Sequence, residues 1–285
     1  METTRGGRWG EARVALVLCA TLFATGLVGV LLGSRPAYAA SFAPDWLPLV
    51  AAPVVATALV LSLSGRRGGT LPRVLAWSGL LVLLWTASGL PLDVLRVVSL
   101  IAPGVMPPGV GWLGLALRSL ALAALVLLAL IVFARPAGAA PARLATWYGF
   151  AALVLALPYP VLKTWWALGG SLGLRGTGAD DLAGSFALCL PAVPWLLAAV
   201  LSLLLVLKPC WMPRRLMLVA GWSAAVVVAM IGPAACWSLI TGVVTGDADF
   251  GDMAGWVFGL VYGSWFLWAL AAGAATRSYQ VRSAW

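Results

Sequence analysis

The sequence predicts an all-α polytopic transmembrane bundle, about eight helices in four hairpins, with the N- and C-termini cytoplasmic. Three observations carry this expectation. First, 62% of the 285 residues are hydrophobic and only 9% are charged, against roughly 25% charged in a soluble domain. Such a chain cannot cover its own surface with water-compatible groups. Second, runs of Leu, Val and Ala reach the roughly 20 residues a helix needs to cross the hydrocarbon core. Third, the cations gather in alternate connections between those runs. No connection is long enough to fold separately, so residues 1–285 read as a single integral membrane domain.

The runs follow in order. The first, near 14–34, comes after Arg5, Arg8 and Arg13. With Ala37-Tyr38-Ala39 beyond it, this segment also fits a signal peptide, although it is longer than the usual apolar region of one. The second, near 46–64, starts at Trp46 and ends before Arg66 and Arg67. The third, near 74–92, starts after Arg73 and ends around Pro91. The fourth, near 112–133, opens on Trp112, encloses Arg118 and stops before Arg135. The fifth, near 144–162, follows Arg143 and meets Pro158 and Pro160. The sixth, near 184–207, holds Trp195 and ends at Lys208. The seventh, near 216–239, follows Arg214 and Arg215 and contains Pro233. The eighth, near 254–275, ends before Arg277 and Arg282. A helix satisfies its backbone hydrogen bonds locally, as lipid requires. A barrel would instead show strands of about 10 residues with alternating polarity.

Orientation follows from the charges. One set of alternate connections and ends holds thirteen of the eighteen cations; the other holds seven of the nine acids. Lys and Arg in short loops stay on the cytoplasmic side, so the acidic loops are predicted to face outward. The net charge of +9 is scattered in short clusters rather than collected on one surface, so nucleic acid is not an expected partner. The lipid bilayer is.

Histidine is absent. That excludes bis-His haem, His-ligated copper or zinc, and a Ser-His-Asp triad within this chain. Cys19, Cys189, Cys210 and Cys236 form no C-x-x-C pair, which argues against a Cys-only zinc site. No cofactor is predicted. There is no G-x-x-x-x-G-K-[ST] motif, so an ATP-driven step would need a separate ATPase subunit.

Arg96, Arg118, Lys163 and Arg175 fall on the predicted outer side, and we take them as candidate ligand-binding residues. After Pro91, Asp93, Arg96 and Ser99 share one side of a helix, with Leu92, Leu95, Val98 and Ile101 opposite, as in a short interfacial helix. Pro160 can open a similar segment carrying Lys163, Trp165 and Trp166. Such cations can bind a phosphate or carboxylate, or Lys163 can snorkel beside its Trp anchors while Arg96 pairs with Asp93. Arg118 lies inside its run, where a charge costs about 2.5–3.5 kcal/mol and calls for a partner or a wet cavity; it is also near enough to the boundary to snorkel. Weaker metal candidates are Asp180 and Asp181 in one outer loop and Asp247, Asp249 and Asp252 in another. Hard divalent cations take several carboxylate oxygens, but solvated loop acids are the simpler reading. Cys189 and Cys236 lie near predicted outer ends and could pair, with two buried small residues as the default. Trp46, Trp112, Trp165, Trp166, Trp195, Trp237 and Trp256 read as an interfacial belt, or as the wall of an amphiphile-binding groove. Gly149, Pro158, Pro160, Pro191, Pro194 and Pro233 are expected to kink or break helices.

A weak internal repeat aligns Leu90-Pro91-Leu92-Asp93-Val94-Leu95-Arg96 with Leu157-Pro158-Tyr159-Pro160-Val161-Leu162-Lys163. It would relate the hairpins 74–133 and 144–207 by an axis along the membrane normal. The stretch Tyr159-Pro160-Val161-Leu162-Lys163-Thr164-Trp165-Trp166-Ala167-Leu168-Gly169-Gly170 resembles a Y-P-x-L-K-x-x-W-x-x-G-G stretch of uncharacterised multi-pass membrane proteins of actinobacteria. The resemblance covers about a dozen residues, implies a multi-pass membrane fold and a role for Lys163 beyond anchoring, and transfers no activity.

The leading functional expectation is a transporter, or a transport-complex subunit, for an anionic or amphiphilic small molecule. The alternatives are a non-catalytic scaffold or sensor partner and a membrane-embedded enzyme acting on a lipid-linked substrate through the outer-loop aspartates.

Overall fold

The fold is all-helical, and each predicted run contains helix among the described residues. The computed structural model describes residues 3–32, 43–63, 70–101, 109–133, 146–175, 192–245 and 253–283. Among these the helices are α1 (Thr3–Leu32), α2 (Leu47–Leu63), α3 (Thr70–Thr86), α4 (Leu90–Ser99), α5 (Trp112–Phe133), α6 (Trp147–Ala156), α7 (Pro158–Ala167), α8 (Val193–Leu207), α9 (Arg214–Ala229), α10 (Ile231–Thr245) and α11 (Gly255–Arg282). The one extended pairing among the described residues is an isolated antiparallel bridge between Leu174 and Met253.

Among the described residues, six stretches are long and apolar enough to cross a membrane: Arg13–Leu32, Thr70–Ser99, Trp112–Ile131, Trp147–Ala167, Arg214–Thr245 and Gly255–Arg282. Three of these are helix pairs joined at a break (α3–α4, α6–α7 and α9–α10). The second and sixth predicted runs form the shorter apolar helices, Leu47–Leu61 and Val193–Leu207. At 15 residues, α8 spans only about 22 Å. The Ala37-Tyr38-Ala39 site, Pro36 and Pro191 lie outside the described residues.

The chain divides into two compact units, Met1–Ala139 and Ala140–Trp285. In the first, α1 packs on α2 and α5, α3 packs on α2 and α5, and α4 packs on α5. In the second, α11 runs through the middle and touches α6, α7, α8, α9 and α10. Its buried residues Val257, Val261, Ser264, Trp268, Ala272, Ala275 and Tyr279 recur every three or four positions, which is one face of a helix. The hairpins 74–133 and 144–207 proposed as a repeat fall one in each unit.

Packing is inside out relative to a water-soluble bundle. Val17, Leu130, Val154, Leu197 and Val219 face outward, while Ala, Gly and Ser fill many of the contacts between helices. Lipid tails are as apolar as Leu, so nothing drives large apolar side chains inward; small residues win the contacts because they let backbones approach. Gly149 faces Val206 and the Ser202 carbonyl across the α6–α8 contact, and Gly221 faces Thr276 across the α9–α11 contact. With the six long apolar helices, this places the chain in a membrane.

Candidate functional site

In the first unit the local sequence breaks a long helix at a buried point. Thr86, Ala87, Ser88 and Gly89 are all buried. Gly89 adopts φ 85°, a left-handed conformation open to Gly at little cost, and Pro91 in the first turn of α4 restarts the helix. The amides of Leu92 and Asp93 both donate to the Gly89 carbonyl, at 3.0 and 3.1 Å. The new helix turns its polar stripe inward. Asp93 and Ser99 are buried, whereas Val94, Leu95, Val98 and Ile101 are exposed. Water would favour the reverse; lipid favours this arrangement.

Asp93 is fully buried, and its Oδ2 accepts from Nη1 of Arg118 on α5 in a buried ion pair. The guanidinium lies against Gly114, one turn earlier on α5, where a Cβ would make ordinary contact with Arg118 Nη1 at 3.5 Å. Arg118 is thus buried with a carboxylate partner. Arg118, 25 positions away in the chain, engages Asp93. Arg96, partly buried in the last turn of α4, is close enough to Arg118 for the two charges to repel. The site thus holds two guanidiniums and one carboxylate among apolar helices.

In the second unit the corresponding break falls at Leu157, between α6 and α7. Pro158 supplies no backbone donor there, and the Val161 amide closes the turn on the Leu157 carbonyl at 3.0 Å. Both segments of the proposed repeat therefore become ten-residue helices that follow a break and carry a cation. Lys163 is partly buried, with Nζ 4.9 Å from the ring centroid of Trp166 and 5.5 Å from that of Tyr159. These distances fit cation–π contact. Trp166 is buried and donates from Nε1 to the Leu172 carbonyl at 2.9 Å. That bond ties α7 to the turn after it, whose Gly173 carbonyl accepts from Ala254 N at 2.8 Å.

Around Tyr159 the second unit builds an aromatic cluster. Trp195 and Trp265 stack at 4.5 Å, Tyr159 meets Trp265 edge-on at 5.2 Å, and Tyr262 meets Trp265 edge-on at 4.8 Å. Trp268, fully buried, donates from Nε1 to Ser202 Oγ at 3.2 Å. The indole Nε1 of Trp265 is buried with no hydrogen-bond partner among the described residues.

The four candidate cations divide between the units: Arg96 and Arg118 lie together in the first, Lys163 and Arg175 in the second. Arg175 is exposed at the end of its described segment. Asp180, Asp181, Asp247, Asp249 and Asp252 lie outside the described residues, as does Cys189. Cys236 is exposed, not buried as the default reading held, and Cys19 is buried. Among the described residues no three of His, Cys, Asp and Glu gather as a metal set. Trp46, Trp112, Trp165 and Trp256 are exposed, as anchors should be, but Trp166 and Trp195 are core residues. Pro158 does sit at a break, while Gly149 makes a helix contact instead of a kink.

Sequence reasoning missed Tyr262, Trp265, Trp268 and Ser202. The density of aromatic residues between Trp256 and Trp268 was the available signal. It also missed Gly255, Gly259 and Gly263, a G-x-x-x-G-x-x-x-G series on α11; Cβ atoms added at Gly259 or Gly263 would meet nothing within 4 Å. No family model, curated protein or solved structure matches this chain.

Proposed function

We propose that the chain is a transporter, or the membrane subunit of a transport complex, for an anionic or amphiphilic small molecule at the cell membrane. One observation carries the reading: Arg118 is paired with a buried carboxylate, Asp93, just after a helix break inside apolar helices, with a second cation, Arg96, one turn on along α4. Charges in such a setting are costly, and they mark substrate or ion pathways when they are kept. The excess positive charge favours a carboxylate, sulfonate or phosphate. Asp93 holds Arg118 while no ligand is bound and yields it when one arrives. In the second unit Lys163, backed by Tyr159 and Trp166, offers a cation beside an aromatic wall, which suits the apolar part of an amphiphile. ATP-driven movement would come from a partner subunit.

The test is binding of dodecyl phosphate to the purified protein in nanodiscs, read by tryptophan fluorescence, followed by its flux in proteoliposomes. Arg96→Gln and Arg118→Gln should each weaken binding by about tenfold, the loss of one charge-assisted hydrogen bond. Unchanged affinity in both variants would remove the basis for the proposal.

A non-catalytic scaffold is the second reading, favoured by the series Gly255, Gly259 and Gly263. These glycines share α11 with the exposed Trp256, Leu260 and Leu267, and small residues at that spacing let a second helix approach closely. Cross-linking of a cysteine placed at Leu260, in mild detergent, would reveal such a partner; Leu260→Cys that yields monomer alone argues for transport.

A further inference from the structure

Lys208 takes φ 49° and ends α8; five residues on, Pro213 leads into α9 at Arg214. Helices α8, α9 and α11 pack on one another pairwise. The C-termini of α8 and α11 thereby meet the start of α9, and their side chains interlock. Arg282 of α11 donates through Nη2 to the Leu205 carbonyl at 2.8 Å and through Nη1 to the Val206 carbonyl at 3.3 Å. In return Lys208 Nζ donates to the Arg282 carbonyl at 2.6 Å. Arg214 donates through Nε to Ser283 Oγ at 2.9 Å and through Nη2 to the Gln280 carbonyl at 3.3 Å. Arg277 Nη1 donates to Gln280 Oε1 at 2.8 Å.

Every acceptor in this network is neutral. The described residues of the second unit include Lys208, Arg214, Arg215, Arg277 and Arg282 at this end and no Asp or Glu anywhere. Each helix C-terminus offsets about half an elementary charge and the α9 N-terminus adds about half of one back, so among the described residues most of the five positive charges stay uncompensated. Lys208, Arg214 and Arg215 are exposed, and Arg282 keeps a buried Nε–H without a partner among the described residues. Beside the cations stand exposed apolar groups: Trp211, 72% exposed in the α8–α9 connection, with Leu207 on α8 and Leu216 and Val219 on α9. Cations at a helix end with an apolar face directly below them match a molecule that has an anionic head and acyl chains.

We propose that the meeting point of α8, α9 and α11 is a binding site for the headgroup of an anionic phospholipid. The phosphodiester accepts from Lys208, Arg214 and Arg215, while Trp211 seats at the headgroup level and the chains lie along Leu216 and Val219. This end is the one the arginine pattern predicts to face the cytoplasm, where anionic lipids attract basic clusters. The site is independent of the transport reading.

The experiment compares thermal unfolding of the full chain in nanodiscs of phosphatidylcholine alone and of phosphatidylcholine mixed with phosphatidylglycerol. Native mass spectrometry counts the retained phosphatidylglycerol. The wild-type protein should unfold several degrees higher in the mixed lipid and carry at least one phosphatidylglycerol. Arg215→Gln, whose side chain has no protein partner among the described residues, should fold normally in phosphatidylcholine. Together with Lys208→Gln it should lose at least half of the shift, and Lys208→Arg should retain it. An equal shift in the double variant would mean diffuse surface attraction and overturn the site. So would the absence of any shift, or an equal shift produced by inorganic phosphate in phosphatidylcholine nanodiscs.

Discussion

The carboxylate of Asp93 on α4 is joined to the guanidinium of Arg118 on α5, 25 positions away in the chain, with the carboxylate wholly out of solvent. Removing one member of such a pair strands the other, at a cost of about 3–5 kcal/mol. Arg118→Gln and Asp93→Asn should therefore each lower the unfolding temperature in detergent markedly. The double variant Asp93→Asn with Arg118→Gln should recover much of the loss, because neither charge is then stranded. Additive losses in a thermal-shift cycle would show that the pair is not coupled as described.

Asp93→Asn also separates pairing from ligand capture. If Asp93 competes with an anion for Arg118, the variant that still folds should bind dodecyl phosphate more tightly, by about tenfold if one charge-assisted hydrogen bond is freed. Weaker binding in titrations of nanodisc samples would mean that Asp93 positions Arg118 for the ligand instead of competing with it.

Gly149 has no space for a side chain. A Cβ there would overlap Val206 and come within 3.2 Å of the Ser202 carbonyl. Gly149→Ala should push α6 and α8 apart and cost about 1–3 kcal/mol. Gly263→Ala, where a Cβ meets nothing within 4 Å, serves as the neutral comparison. Equal melting temperatures for the two variants would contradict the close α6–α8 contact.

Ser202 supports the aromatic cluster by accepting from Trp268 Nε1 while donating to the Ala198 carbonyl at 2.7 Å. Ser202→Ala should leave a buried indole N–H unsatisfied and destabilise the second unit by about 1–3 kcal/mol. The companion Trp268→Phe with Ser202→Ala should lose less than the sum of the two single changes, as read by urea-induced unfolding in mild detergent.

Cys210 is exposed beside Lys208 and reports orientation. In a variant with the other three cysteines changed to Ala, a membrane-impermeant maleimide should label Cys210 in inverted vesicles and not in intact cells. The opposite pattern would invert the predicted topology and move the proposed lipid site to the outer leaflet.

Much of this molecule was legible in one dimension because a bilayer imposes one-dimensional rules. Hydrocarbon thickness fixes how long an apolar run must be, and unsatisfied backbone groups force it to be helical. Thus Arg13–Leu32, Trp112–Ile131 and Gly255–Arg282 could be located from composition alone, and Pro158 announced the α6–α7 break. Arg118 stood out as a charge within an apolar run, so its need for a partner could be inferred. Which partner it takes could not. Asp93 has Arg96 three residues away on its own helix, and packing of α4 on α5 brings it to Arg118. In the same way Trp166 and Trp195 look like interfacial anchors by position and prove to be core by contact. Solvent type and chain length act on each segment separately and leave a mark in its sequence. Partner choice depends on which faces of distant helices meet, and that is settled only when the chain is packed.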